Sequence, residues 1–450
     1  MKSDNTTLFE QAPISKAIIA MVIPTLISQI ITVIYNMADT FFIGQMNDPN
    51  QIAAASLAMP PFIMLTGIAN LFGIGGASLV SQSLGMGDKK RAERCATFSI
   101  WACIVISFVY GVLVYLARPV LFPLLGTDAS TYGYCSDYFF WTIAVGSIPT
   151  ALNACLSHLV RAEGYSKEAS FGVALGGILN IIFDPILIFN LGLEIAGAAM
   201  ATMISNVIAT VYFIALLQKN KVRTVIKFTL RNFTLQHGIP KRIILVGLPS
   251  FILILLGTVS NIVQNSLAAT YSNQIVAGMG IAKKIDMLVF AFANGMTQGV
   301  LPLIGYNFAA KNHARMKKAV KTSFIYGVSL ATVGAILLFS TASPMVKLFI
   351  DDAETVLYGQ FFLKVISTTC PVIMVTMMII SVLQATGQSF KPLLLSVVRK
   401  GSVDVVLMFV MNAFMQANGL AWATPISDCF AMTVALLVFI PYWKKIKSAV

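Results

Sequence analysis

Charge is what this sequence has least of. Only 11% of its 450 residues are Asp, Glu, Lys or Arg, against roughly 25% in an ordinary soluble domain. A globular core cannot absorb the apolar remainder, so a soluble fold is excluded and lipid is the expected surrounding. Acids are scarcer than bases: 18 Asp and Glu stand against 31 Lys and Arg, a formal net charge of +13. That excess is no nucleic-acid footprint, because it falls in short runs between apolar stretches and forms no stripe on one folded face. Histidine is limited to His158, His237 and His313, and the six cysteines form no C-x-x-C pair. Neither a disulfide framework nor a transition-metal site is expected. The chain also lacks an H-E-x-x-H motif, a phosphate-binding glycine loop and any nucleophile–base set, so it reads as no enzyme and as needing no cofactor.

Apolar runs are what it has in plenty: 57% of residues are hydrophobic and the mean hydropathy is +0.81. A helix needs about 20 apolar residues to cross a bilayer. Candidate spans lie at 17–42, 52–82, 95–117, 137–160, 169–190 and 195–217, then, after a polar basic connector, at 241–268, 275–308, 319–341, 359–384, 392–413 and 418–442. The expectation is an all-α polytopic membrane protein of twelve helices, with a first six-helix lobe over 1–217, a linker over 218–240 and a second lobe over 241–450. Residues 1–16 are polar and the first apolar stretch is a full span, so no cleavable signal peptide is expected.

Orientation follows from Lys and Arg. Alternate connectors hold Lys89, Lys90, Arg91 and Arg94, then Arg161 and Lys167, then seven basic residues between 219 and 242, then Lys311, Arg315, Lys317, Lys318 and Lys321. The opposite connectors hold only Arg118 and Lys347 against Asp48, Asp128, Asp137, Glu194, Asp351, Asp352 and Glu354. Both termini should be cytoplasmic, in a bacterial inner membrane, which agrees with an even helix count. The halves also align with each other. Pro24 and Asn36 match Pro249 and Asn261 at an offset of 225, Arg91 and Ser99 match Arg315 and Ser323 at 224, Gly164 matches Gly387 at 223, and Thr202 matches Thr424 at 222. Two parallel six-helix bundles around a midplane cavity is a transporter plan.

A carboxylate at the bilayer centre costs at least about 2.5–3.5 kcal/mol, so intramembrane acids are functional candidates. Asn180 and Asp184 stand one turn apart on the fifth span, and Ala198 and Thr202 one turn apart on the returning sixth. Equal distances from Leu191 set these pairs level, roughly 10–17 Å below the outer end, with Asp39 of the first span roughly 8 Å deep. Two carboxylates, an amide oxygen, a hydroxyl and a backbone carbonyl at similar depth suit Na⁺. A close carboxylate pair also suits a proton, since like charges resist ionising together. The other reading is that Asp184 satisfies a bend at Pro185. In the second half Gln264, Val406 and Ser402 stand where Asp39, Asp184 and Asn180 stand in the first, so the ion site is expected in the first lobe alone. Asp286 and Asp404 are spaced for local pairs with Lys283 and Lys400. Asp428 has no local partner and is read as a second protonatable group or a polar residue facing the cleft. Arg399 either lines the cavity or snorkels to the surface. Asn36, Met37, Asn153, Met203, Asn261, Gln264 and Met287 are candidates for the substrate cavity, where flexible methionine suits varied shapes.

These residues resemble the multidrug and toxic compound extrusion (MATE) family along nearly the whole chain. The resemblance rests on Ile23-Pro24 and N-M-A-D-T-F-F-I-G (36–44), R-A-E-G (161–164) with its echo Q-A-T-G (384–387), N-I-I-F-D-P-I-L-I-F (180–189) and G-A-A-M-A-T (197–202). The D-P-I-L-I-F run is similar to the bacterial MepA-like branch. The resemblance implies an antiporter exporting bulky organic cations against H⁺ or Na⁺ and an ion site at Asp39, Asn180, Asp184, Ala198 and Thr202; a bend of the first helix at Pro24 is the movement expected to narrow the cavity. Some members carry acids on helices 7 and 8; Gln264, Asn265 and Asp286 match that pattern poorly. Expected partners are small organic cations and the lipid bilayer, with no nucleic acid and function as a monomer. A lipid-linked oligosaccharide flippase of the same broader superfamily is the alternative. The orientation is testable: in a cysteine-free background, a cysteine at Arg223 should react with an impermeant maleimide only after the membrane is opened, and one at Asp352 in intact cells.

Overall fold

The computed structural model describes residues 4–46, 48–236 and 238–448, so His237 lies outside the described residues. Every regular element among the described residues is a helix. Hydrocarbon offers no hydrogen bonds, so each crossing segment must satisfy its own backbone, and the helix does so within one segment. The first half supplies α1 (Ile14–Gln45), α2 (Pro49–Gly85), α3 (Lys89–Leu116), α4 (Tyr132–Val145 bent by 49° into Ser147–Ala162), α5 (Ser166–Asn190) and α6 (Glu194–Lys219). The second supplies α7 (Ile239–Ala269), α8 (Asn273–Ala309), α9 (His313–Ser340) and α10 (Ala353–Ser367 bent by 45° into Cys370–Ala385). The continuous run Phe390–Ile446 turns at Gln416 (φ 53°), giving α11 (390–415) and α12 (417–446). Eight helices are long and apolar enough to cross on their own and two more as bent pairs. The turn at Gln416 and the 37-residue α8 make the set compatible with the expected twelve.

The internal repeat is visible in the helices themselves. α2 and α8 each run 37 residues and α3 and α9 each run 28, with starts 224 positions apart. Caps repeat as well: Asp88 accepts the Arg91 N–H at 2.9 Å and Asn312 the Arg315 N–H at 3.1 Å, fixing where each helix begins.

The halves meet chiefly along three helix pairs, α2 on α7, α1 on α8 and α2 on α8, while α1 also packs along α5. Small residues let the backbones approach. A methyl group at Gly247 would collide with the Leu71 carbonyl. One at Gly299 would come 2.9 Å from Val22 Cα, and one at Gly295 2.7 Å from Leu26 Cδ2.

The basic connector is a strap bound to the first half. Val225 and Ile226 are buried in the core that holds Leu217 and Phe213. Glu93 accepts from Lys227 Nζ and Asn232 Nδ2, and Trp101 Nε1 donates to the Phe228 carbonyl at 3.1 Å. Glu163, just past the end of α4, accepts the Thr224 hydroxyl at 2.7 Å and the Val225 N–H. Burial pushes its carboxyl from 4.5 up to about 7, against hydrogen bonds from Thr224, Val225 and Ile226 that pull it down. An undocked Glu163 loses its proton near 4.5, so docking is strongest below that pH and weakens as pH rises towards 7. Hydrogen exchange at amides 225–228, corrected for intrinsic rates, should accelerate several-fold between pH 5 and 7.5, and Glu163→Gln should flatten that dependence.

Candidate functional site

Helix α1 carries a line of polar side chains turned back on their own backbone. Thr25, Thr32 and Thr40 donate to the carbonyls of Met21, Ser28 and Asn36, and Asn36 Nδ2 to that of Thr32, at 2.8–2.9 Å. Such bonds loosen a helix, and Pro24 removes one backbone donor outright. Pro24 nonetheless lies within one continuous helix. Asp39 comes one turn after Tyr35 and is buried.

On α5, Asn180 and Asp184 are 2% and 0% exposed. Pro185 does not break the helix: it opens into a wider turn over Ile186–Asn190, closed by Leu191 N–H on the Ile186 carbonyl at 3.0 Å. Asp184 therefore caps nothing. Its Oδ1 accepts from Asn180 Nδ2 at 3.2 Å, and the same Nδ2 lies 3.3 Å from Thr202 Oγ1 of α6. Ala198 is fully buried one turn before Thr202. Above them Gln51 of α2 ties the α5–α6 turn, donating to Glu194 Oε2 at 2.8 Å and accepting the Ile195 N–H at 3.0 Å. Tyr138 of α4 is buried in the same apolar cluster as Ile43, Ile195 and Ala198. Asp39 Oδ1, Asn180 Oδ1 and Asp184 Oδ2 are buried with no hydrogen-bond donor among the described residues. Three unpaired acceptor oxygens, two of them from carboxylates, are chemically able to take a proton or a small hard cation.

The cavity candidates form no single group. Asn153 donates to Asn206 Oδ1 at 2.9 Å beside α5. Asn36 is bonded within α1, Met37 and Met203 are half-buried, and Asn261 and Met287 are exposed. Gln264 is buried and donates to the Leu420 carbonyl at 3.1 Å. Gln264 matches Asp39 in the repeat and Leu420 matches Ala198. The second half thus fills the equivalent position with a neutral amide–carbonyl bond.

Elsewhere in that half two of the acids are paired with bases. Arg399, read as lining or snorkelling, does neither: it is 2% exposed, and its Nε donates to Asp428 Oδ1 at 2.8 Å. Asp428 lacks a local partner because its partner lies 29 residues back. Asp404 accepts from Ser260 at 2.6 Å and from Lys400 at 3.4 Å, as its spacing suggests. Lys283 turns from Asp286 and donates to Asn265 at 3.3 Å.

Sequence reasoning missed a polar seam between the halves. Arg161, counted among connector charges, is 2% exposed and points Nη1 at Gln298 Oε1 of α8 at 3.5 Å. Gln29 of α1 donates to the same oxygen at 3.2 Å, and His158 pairs with Asn70 at 3.0 Å. The signal was His158 inside the apolar run 137–160 and Arg161 directly at its end, both on the helix that runs to Ala162. Tyr35 and Tyr138 were also missed; Tyr35 had the i,i+4 spacing to Asp39 as its clue.

The MatE family model matches residues 24–186 and 249–410. The chain is similar to the multidrug export protein MepA of Staphylococcus saprophyticus, 31% identical over 97% of this chain and 96% of that one. The MepA of Staphylococcus aureus strain MSSA476 is likewise 31% identical over the same shares. Its fold is that of a crystal structure of MATE in complex with MaL6, at a TM-score of 0.93 and 24% identity, covering 99% of this chain and 100% of that one.

The Arg399–Asp428 pair generates a stability prediction. Arg399→Ala strands a buried carboxylate and should cost about 3–5 kcal/mol, whereas Arg399→Leu with Asp428→Leu should recover most of it. Thermal unfolding in detergent reads the difference.

Proposed function

The chain belongs to the MatE family, and on that premise we propose that it is a multidrug efflux antiporter that exports bulky organic cations in exchange for H⁺ or Na⁺. The observation that carries this reading is the trio of buried acceptor oxygens on Asp39, Asn180 and Asp184. The coupling ion binds there, with the Thr202 hydroxyl beside it and the Ala198 backbone behind. Proton coupling needs only the two carboxylates, while Na⁺ coupling draws also on the amide and hydroxyl oxygens. The second half, with Gln264 in place of Asp39, takes no part in ion binding.

The bodies that move are the lobes 1–217 and 241–450, joined by the strap 218–240. An external ion neutralises Asp39 and Asp184, α1 bends at Pro24, the cavity narrows and the drug leaves. Moving one charge through 100 mV supplies about 2.3 kcal/mol, nearly fifty-fold in concentration. The protein sits in a bacterial inner membrane with both termini in the cytoplasm and works as a monomer. A flippase for pyrophosphate-linked sugars would need free cationic groups in the cleft; Arg399 and Lys400 are engaged by Asp428 and Asp404, while Lys283, on the neutral Asn265, and Lys284 keep that reading as the alternative.

The test is transport of a fluorescent organic cation into liposomes under an imposed pH gradient and then an imposed Na⁺ gradient. One gradient should drive uptake, and Asp184→Asn should lower it at least tenfold while the protein still folds. Gradient-driven uptake unchanged in Asp184→Asn would remove the ion site from this position.

A further inference from the structure

Between the start of α9 and the end of α12 lies an open groove of about 540 Å³, within the roughly 300–1,000 Å³ range of small-molecule sites. Its floor and walls are apolar: Phe324, Ile325 and Ile379 on one side, Leu436, Phe439 and Trp443 on the other. Phe439 stacks on Trp443 with ring centroids 5.4 Å apart and meets Phe324 at 6.2 Å, a continuous aromatic wall. One end is rimmed by Lys317, Lys318 and Lys321, and no acidic residue lines it. Among the described residues none of these lysines forms an ion pair.

The internal repeat supplies an independent argument about what belongs there. At the offset of 224, Lys317 and Lys321 correspond to Glu93 and Thr97 of α3, and Ile325 corresponds to Trp101. In the first half that groove is filled by the chain's own strap. Val225 and Ile226 pack against Leu217, which corresponds to Phe439 at the offset of 222. The Lys227 ammonium meets Glu93, the Lys227 carbonyl accepts from Thr97 at 3.2 Å, and the Phe228 carbonyl accepts from Trp101. An acidic rim thus takes a basic occupant with an apolar body. In the second half the rim is basic and no described segment covers the groove.

We infer that the groove between α9 and α12 is a binding site for an acidic phospholipid, its phosphate held by Lys317, Lys318 and Lys321 and an acyl chain laid along Phe324, Phe439 and Trp443. The lysines stand on the side that the charge bias assigns to the cytoplasm, where anionic headgroups attract basic clusters. A tryptophan flanking them suits the boundary between headgroup and hydrocarbon. The inference needs only that the chain crosses a membrane, so it stands or falls apart from the identity of the transported ion.

The experiment is native mass spectrometry of the purified full chain titrated with dioleoyl-phosphatidylglycerol or dioleoyl-phosphatidylcholine. The first phosphatidylglycerol should bind at least tenfold tighter than phosphatidylcholine. Lys317→Gln, Lys318→Gln and Lys321→Gln together should erase that preference, and Leu436→Trp, which fills the groove, should weaken binding of the same first lipid. Lys89→Gln, Lys90→Gln and Lys221→Gln, with the same change in charge on the same face, should leave the preference intact. Equal loss in the two triple variants would mean diffuse attraction and overturn the site. So would a preference that survives the first triple variant, or displacement of the lipid by millimolar inorganic phosphate alone.

Discussion

A charge held in hydrocarbon must be neutralised where it stands, because no water is there to do it. The two halves of this protein descend from one pattern and meet that demand in opposite ways. The second half pairs two of its acids with bases, Arg399 on Asp428 and Asp404 between Ser260 and Lys400. At the position of Asp39 it places Gln264, already bonded to a carbonyl. The first half leaves Asp39 and Asp184 with no cationic side chain beside them, and three of the local oxygens have no donor. Among the described residues Asp404 Oδ1 and Asp428 Oδ2 lack a donor too, so what separates the halves is the basic partner beside each of these acids and not the orphan oxygen.

That asymmetry gives a plain account of why a symmetric architecture can do directional work. A pair of identical sites would titrate together, and the repeat would gain nothing from having two lobes. Under the proposed antiport, with the ion site in the first half alone, an ion binding there would change the balance between the halves. The seam across which such a change must pass is polar and shared: Arg161, Gln298 and Gln29 come from α4, α8 and α1, and meet at one amide oxygen.

Much of this was legible along the chain. Twenty-residue apolar runs, the bias of Lys and Arg, and the ordered matches of Pro24 with Pro249 or Arg91 with Arg315 report length, side and repeat, all of which are properties of position along the sequence. Depth is another such property, which is why counting from Leu191 could set Asn180 and Asp184 level with Thr202 and Ala198. What stayed hidden depends on which way a side chain faces and on what lies across from it. Arg399 and Asp428 are 29 residues apart on different helices, so no local spacing marks them as partners. Arg161 reads as a connector charge because hydropathy registers the end of a span and not the neighbour that covers it. The strap looked like a tether because its few apolar residues, Val225 and Ile226, bury against helices far upstream in sequence. The resemblance to a family pointed to Asp39, Asn180 and Asp184 but was silent on all three.

The close approach of α8 to α1 has a mechanical meaning. Gly299 meets α1 at Val22 and Gly295 meets it at Leu26, so the contact brackets Pro24 from both sides. Below that point Ile14, Ala17, Ile18 and Met21 are embedded with Val300 and Ile304 of the other half; above it the helix runs out to Asp39 along α5. A rod gripped at its weakest joint, with unequal arms on either side, is a lever on a fulcrum. Its short arm is embedded in the second half and its long arm lies along the first, so under the proposed antiport a small force at Asp39 would be returned as leverage between them.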